Sequence, residues 1–293
     1  MHCWMIPMSY NFAEIDHLLG SYPDPQQGGD LYERLGFTVT PLSVIENLGV
    51  GNRLVLMQPM APRTANFFEC MGVVDPQRAA APMAKLLSGP AGIRSMVLSG
   101  PDARGSQALL ARDGYPCAPP LDLRREWRLP SGETLHPAFL VTLPAPVRLP
   151  FNFCEYRTLD CYLRPQWLEH VNGALHLTGV LALDNEPETG ARYFEKVFSG
   201  TAVRHGDLFS VGPGRVQLRI GSQLGLRALV PLEWLAGSEP RYVGFEIEVR
   251  SLAALRALLA GRGVEFIERA GAIVVAPDEA CGNILRFHET HAA

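Results

Sequence analysis

The sequence reads as four successive repeats of one pattern, a strand, a helix and three strands, which predicts an α/β or α+β architecture in two halves. Three observations carry this expectation. Short apolar runs rich in β-branched and aromatic residues recur along the chain. In the first two repeats, proline–aspartate openings lead into helices that glycine closes, at Pro23-Asp24 to Gly36 and Pro101-Asp102 to Gly114. In the last repeat, Leu252, Leu255, Leu258 and Leu259 recur at helical spacing.

Taken in order, the first repeat gives a strand at Ile15-Asp16-His17-Leu18-Leu19, a helix from Gln26 to Leu35 and a β-branched strand from Phe37 to Thr40. A glycine-rich connection leads to strands at Arg53 to Met57 and around Glu69. The second repeat has a strand from Ile93 to Leu98, a helix through Arg112, strands around Glu126 to Leu129 and Pro137 to Val141, and an end at Glu155. A connection carrying Pro165, Trp167 and His170 follows. The third repeat runs from Leu177 through a helix at Glu188 to Phe198, then strands near Arg215 to Ile220 and Leu226 to Val230. The fourth has strands at Val243 to Val249, Glu265 to Arg269, Ile273 to Ala276 and Ile284 to His288, with a helix from Ser251 to Ala260. The expected units are residues 12–160 and 174–291, with residues 161–173 as linker.

At 293 residues the chain is long enough for two cores, and 47% apolar with 19% charged residues is a globular composition. A formal charge of −4 and the lack of a dense basic run predict no nucleic-acid partner and no attraction to an acidic membrane. No stretch approaches the ~20 apolar residues of a membrane span. Residues 1–12 carry neither a basic start nor a cleavage site, so a signal peptide is not expected. The six cysteines (Cys3, Cys70, Cys117, Cys154, Cys161, Cys281) have no C-x-x-C pair and read as free thiols of a cytoplasmic protein.

Two stretches carry the chemistry, Asn66-Phe67-Phe68-Glu69-Cys70 and Asn152-Phe153-Cys154-Glu155-Tyr156. Each sets one carboxylate in an otherwise buried strand, where it needs a proton, a cation or a metal. Strand alternation puts Glu69 on the face of Phe67 and Glu155 on the face of Phe153, with Cys70 and Cys154 packing outward on the opposite face. With His17 these carboxylates are the raw material of a divalent metal site, suited to Zn, Ni, Mn or Fe. The alternative is a metal-free network in which His17 bonds Glu69 or Glu155. Arg124, Arg125 and Trp127 flank a strand and either hold a carboxylate or phosphate of a ligand or are ordinary edge-strand residues. His170 and Asn172 at the linker either cap the next strand or reach the cleft, and the structural reading is preferred. His176, His205, His288 and His291 read as surface or satisfied histidines, and Gly212-Pro213-Gly214 as a turn.

The segments Ile15-Asp16-His17-Leu18-Leu19 with Pro23-Asp24, Leu35-Gly36-Phe37-Thr38-Val39, Gly51-Asn52-Arg53-Leu54, Leu149-Pro150-Phe151 and His170-Val171-Asn172-Gly173 resemble the glyoxalase-like family of bacterial proteins. That family lies within the vicinal-oxygen-chelate superfamily of glyoxalase I and the extradiol dioxygenases. The resemblance implies an α+β fold in which four βαβββ modules pair into two curved-sheet, cupped-barrel domains. It further implies metal ligands on the first and last strands of each module: His17 and Glu69 from the first, Ser95 and Glu155 from the second. Ser95 departs from the strong ligand expected there. In the C-terminal half the same positions fall on Gly179, Gly244 and Arg286, so that half should be without metal.

What the resemblance implies is a metal-dependent lyase or isomerase acting on a small oxygen-chelating substrate, with Glu69 or Glu155 moving a proton. Ser95, Asn52, Arg125 and Trp127 are the candidate ligand-binding residues. A non-catalytic protein that sequesters a small molecule is the competing function, and the weak ligand at Ser95 suits it. A homodimer is compatible with either.

Overall fold

The computed structural model describes residues 12–115, 117–145 and 147–289; Cys3, most of the first twelve residues and His291 lie outside them. The first repeat comprises β1 (Glu14–Ser21), α1 (Pro25–Arg34), β2 (Ser43–Ile45), β3 (Val50–Leu56) and β4 (Phe67–Val73). A short helix, α2 (Ala81–Leu86), leads into the second repeat. This has β5 (Gly92–Ser99), α3 (Ala103–Arg112), β6 (Leu121–Arg124), an inserted ribbon of β7 (Trp127–Arg128) and β8 (Thr134–Leu135), then β9 (Ala138–Val141) and β10 (Phe151–Tyr156). The third repeat is β11 (Ala174–Leu183), α4 (Pro187–Phe198), β12 (Val203–His205), β13 (Leu208–Val211) and β14 (Gln217–Gly221). After α5 (Gln223–Leu226), the fourth is β15 (Arg241–Val249), α6 (Leu252–Gly261), β16 (Phe266–Arg269), β17 (Ala272–Val275) and β18 (Ile284–Glu289).

Two mixed sheets result, with strand orders β2-β3-β4-β1-β5-β10-β9-β6 and β12-β13-β14-β11-β15-β18-β17-β16. The orders are the same repeat for repeat. In each sheet the first strands of two modules pair antiparallel at the centre, and each pairs parallel with the last strand of its own module. This is an α+β fold of four βαβββ modules in two curved sheets.

The helices start where side chains take up their free N–H groups. Asp24 accepts from Gln26 N at 2.8 Å, Asp102 from Gly105 N at 2.8 Å and Ser251 from Ala254 N at 3.2 Å. Two expected strands are something else. Phe37 to Thr40 is extended but lies in no sheet: Phe37 and Val39 enter the core, while Thr38 N–H donates to His170 Nδ1 and Thr40 N–H to Leu54 O. Its alternation recorded burial and not a ladder. Leu226 to Val230 closes α5 in a turn, Leu226 O accepting from Leu229 N and Val230 N.

One apolar core spans both halves, with Phe68 of β4 stacked on Phe245 of β15 at 4.9 Å. Asn66 extends the contact by pairing with the Leu177 backbone, donating to its carbonyl at 2.9 Å and accepting from its N–H at 2.7 Å. No helix of the described residues is long and apolar enough to cross a membrane.

Candidate functional site

The two concave faces differ. In the C-terminal sheet, Leu226, Val230 and Leu235 of the segment between modules pack onto Leu181, Leu183 and Val243 and fill the cup. Beside them Glu246 is gripped by Arg219 and Arg286, the latter at 2.7 Å. Gly179 leaves the room for this group: a Cβ there would stand 2.4 Å from a Glu246 carboxylate oxygen. In the N-terminal sheet the corresponding segment carries α2, which only roofs the cup, with Met83 and Leu86 facing a cavity.

Most of the cavity wall is apolar, including Leu19, Leu54, Phe67, Val97 and Phe139. Polar side chains gather at one end: His17, Glu69, Asn52, Arg125, Tyr156 and Tyr162. An amphipathic pocket of this kind fits a small ligand with one polar end.

His17 owes its orientation to a β-bulge. The β1–β5 register shifts between Ile15 and His17, so Ile15 and Leu18 both reach the core while His17 and Leu19 both face the cavity. The extra residue is Asp16, wholly buried, whose carboxylate lies beside the imidazole. Asp16 Oδ1 accepts from His17 Nδ1 at 2.8 Å and from the Tyr156 hydroxyl at 2.6 Å, and Oδ2 accepts from Ala65 N at 2.7 Å. Burial and the Asp16 charge hold the Tyr156 phenol well above its ordinary pKa, so it remains a donor. Tyr156 and Ala65 already donate to this carboxylate, which has only lone pairs to offer, so in the neutral imidazole the shared hydrogen is on Nδ1 and Nε2 is the acceptor. Phe67 stacks on the imidazole at 4.1 Å and fixes its plane. Opposite, Glu69 accepts from Asn52 Nδ2, and Asn52 Oδ1 accepts from Arg125 Nη1 at 3.2 Å. Arg125 lies 5.5 Å over the Trp127 ring, and its Nε is buried without a partner.

The expected triad is not assembled. His17 and Glu69 line the cavity, but Glu155 faces the other side of the sheet, where its Oε2 accepts from Ala103 N at 2.9 Å and caps α3. On β10 it is Asn152, Cys154 and Tyr156 that face the cup, while Phe151 and Phe153 enter the core. Cys154 therefore points inward, contrary to expectation, whereas Cys70 packs into the core away from the cavity. The alternative network also differs, because His17 bonds Asp16 and not Glu69 or Glu155. Ser95 does not line the cavity; its hydroxyl donates to Asn152 Oδ1 at 2.5 Å. Trp127 sits behind the wall, stacked on Trp167 at 4.8 Å. His170 is a structural residue, accepting from Thr38 N and reaching Leu56 O at 2.8 Å.

Among the described residues no group of three or more His, Cys, Asp and Glu side chains converges on one metal position. Two donors, His17 and Glu69, with Asn152 and Ser95 bonded to each other, do not make the ligand set that the resemblance implied. Sequence reasoning missed Asp16 and Tyr156. Both stand in the quoted stretches, but only the bulge brings Asp16 beside His17.

The family model of the glyoxalase-like domain matches residues 15–198. No curated protein matches the sequence. Among solved structures, a hypothetical protein from Staphylococcus aureus is 12% identical with a TM-score of 0.65, the match covering 95% of this chain and 99% of that one. A mutant 4-hydroxymandelate synthase from Streptomyces coelicolor is 12% identical (TM-score 0.59; 95% and 93% covered). BphC, a halotolerant catechol dioxygenase, is 14% identical (TM-score 0.55; 96% and 88% covered). At such identities these three show the shared fold and nothing of this chain's chemistry. With more than half of its length matched by the family model, the chain belongs to the glyoxalase-like family.

Proposed function

We propose that the N-terminal cup binds a small organic molecule with an apolar body and an oxygen-bearing polar end, and that His17 moves a proton at that end, as in a lyase or isomerase. The observation that carries this reading is the buried Asp16–His17 pair on the cavity wall, with Nε2 left as acceptor. A neutral imidazole so oriented is a general base for an acidic C–H or O–H of a bound ligand, and Asp16 stabilises the imidazolium that forms. Glu69 binds Asn52 through Oε1, and its other oxygen has no hydrogen-bond partner among the described residues. It is placed to receive or return the second proton of an isomerisation. Arg125 supplies N–H donors to an oxyanion developing on the same ligand.

The test is deuterium uptake from D2O into small carbonyl compounds, read by mass spectrometry without knowledge of the product. Wild-type protein should catalyse exchange, and His17→Ala should reduce it by about 100-fold or more. Exchange that survives His17→Ala contradicts the assignment. A second reading, sequestration without turnover, is favoured by the apolar majority of the wall; tight binding with no exchange in any compound would establish it. Chelation of divalent ions by EDTA should leave ligand affinity unchanged, since His17 and Glu69 are joined by no third ligating side chain among the described residues.

A further inference from the structure

A second cleft opens beside the cavity where the two halves meet, and shares Leu86, Leu143 and Pro144 with it. Its walls carry four cations, Lys85, Arg94, Arg148 and Arg241, and no carboxylate side chain. In a chain of net charge −4 such a concentration is not a general excess of positive charge. Arg148 is neutralised by Asp184 at 2.5 Å and Glu186 at 2.7 Å. The other three form no ion pair among the described residues.

Arg94 and Arg241 are half-buried and held by backbone carbonyls alone. Arg94 Nη2 donates to Ser88 O at 2.9 Å and to Pro90 O, while its Nε is buried without a partner. Arg241 donates from Nη1 to Glu239 O at 3.3 Å and from Nη2 to Ala236 O. Burial pulls both guanidinium groups below their usual pKa, with no carboxylate there to oppose it. Two desolvated cations facing one cleft are costly unless an anion joins them.

We propose that this cleft is the anion-binding end of one extended binding site: it holds the phosphate or pyrophosphate group of a ligand whose apolar end lies in the N-terminal cup. Guanidinium forks match phosphate oxygens in geometry as well as charge, and Lys85 at the end of α2 adds a point charge. Arg94 stands on β5 and Arg241 on β15, so the site is incomplete without the C-terminal half. The inference rests on the reading of the cup as a ligand pocket.

Calorimetric titration with octanol, octyl phosphate and inorganic pyrophosphate tests it. Octyl phosphate should bind wild-type protein about tenfold tighter than octanol, the advantage shrinking with added salt. In the double variant Arg94→Gln, Arg241→Gln that advantage should vanish while octanol affinity is retained. Pyrophosphate should raise the melting temperature of the wild type and not of the double variant. If the double variant does not fold, Lys85→Gln, on an exposed side chain, should still lower the octyl phosphate advantage about threefold. Equal affinities for octyl phosphate and octanol, or an advantage that survives the substitutions, overturn the proposal. Stabilisation by pyrophosphate without any binding of octanol would leave the cleft standing and refute the cup as the ligand pocket.

Discussion

Asp16 accepts hydrogen bonds from the His17 imidazole, the Tyr156 phenol and the Ala65 amide at a position closed to water. Asn in its place offers only one acceptor oxygen and brings N–H donors to partners that also donate. Asp16→Asn should therefore lower proton exchange by about 10- to 100-fold while ligand affinity changes little, because the imidazole loses the partner that fixes its tautomer. Equal exchange in the two proteins would show that Asp16 is only structural. His170 gives a second, independent prediction. Burial holds it to a pKa of about 4 against an ordinary 6.5, the nearby Arg250 charge adding to the effect. Below pH 6.5 the unfolded chain takes up a proton that the folded chain refuses. Stability should thus fall as pH drops from 6.5 towards 4, by up to about 3 kcal/mol, and be independent of this group at higher pH. Urea unfolding across that range should show the slope, and His170→Gln should flatten it.

At the scale of elements, β10 shows both what the sequence disclosed and what it hid. Strand position and apolar character were legible in Asn152-Phe153-Cys154-Glu155-Tyr156, but its facing was not. Both faces of this strand are buried, one against the cavity and one against α3 and the core, so alternation of hydrophobicity cannot tell them apart. Glu155 turned out to serve the helix that Asp102 opens. Glu155→Gln should lower thermal stability by about 1 kcal/mol and leave deuterium exchange intact. Loss of exchange comparable to that of His17→Ala would return Glu155 to the site. The bulge at Asp16 was hidden for a different reason: an inserted residue leaves no mark in a strand whose eight residues are all buried. Helices α1, α3 and α6 were plain because each has a cap residue and a closing glycine or an apolar stripe. The cup's roof, α2, has no fully buried residue and no side-chain cap, which is why the sequence did not announce it.

Over the whole molecule, the same architecture occurs twice, once as an open cup and once as a filled one. The contrast was partly visible beforehand, since Gly179, Gly244 and Arg286 occupy positions where the resemblance placed ligands. What composition could not show is that Arg286 is the partner of a buried carboxylate, Glu246, which Arg219 also holds. Arg286→Ala should cost about 1–3 kcal/mol in a denaturant titration, as one of two cations leaves a buried anion, with exchange in the N-terminal cup unchanged. Because Phe68, Phe245, Asn66 and Leu177 join the halves in a continuous core, that loss should appear in a single unfolding transition. The central claim is that His17 presents an unprotonated Nε2 to a ligand cavity while Asp16 holds the hydrogen on Nδ1. Nitrogen-15 NMR of the imidazole reads this directly at neutral pH. The structure predicts a protonated Nδ1 and an unprotonated Nε2 whose shift moves when a ligand fills the cup. A protonated Nε2, or a shift indifferent to bound ligand, would contradict it.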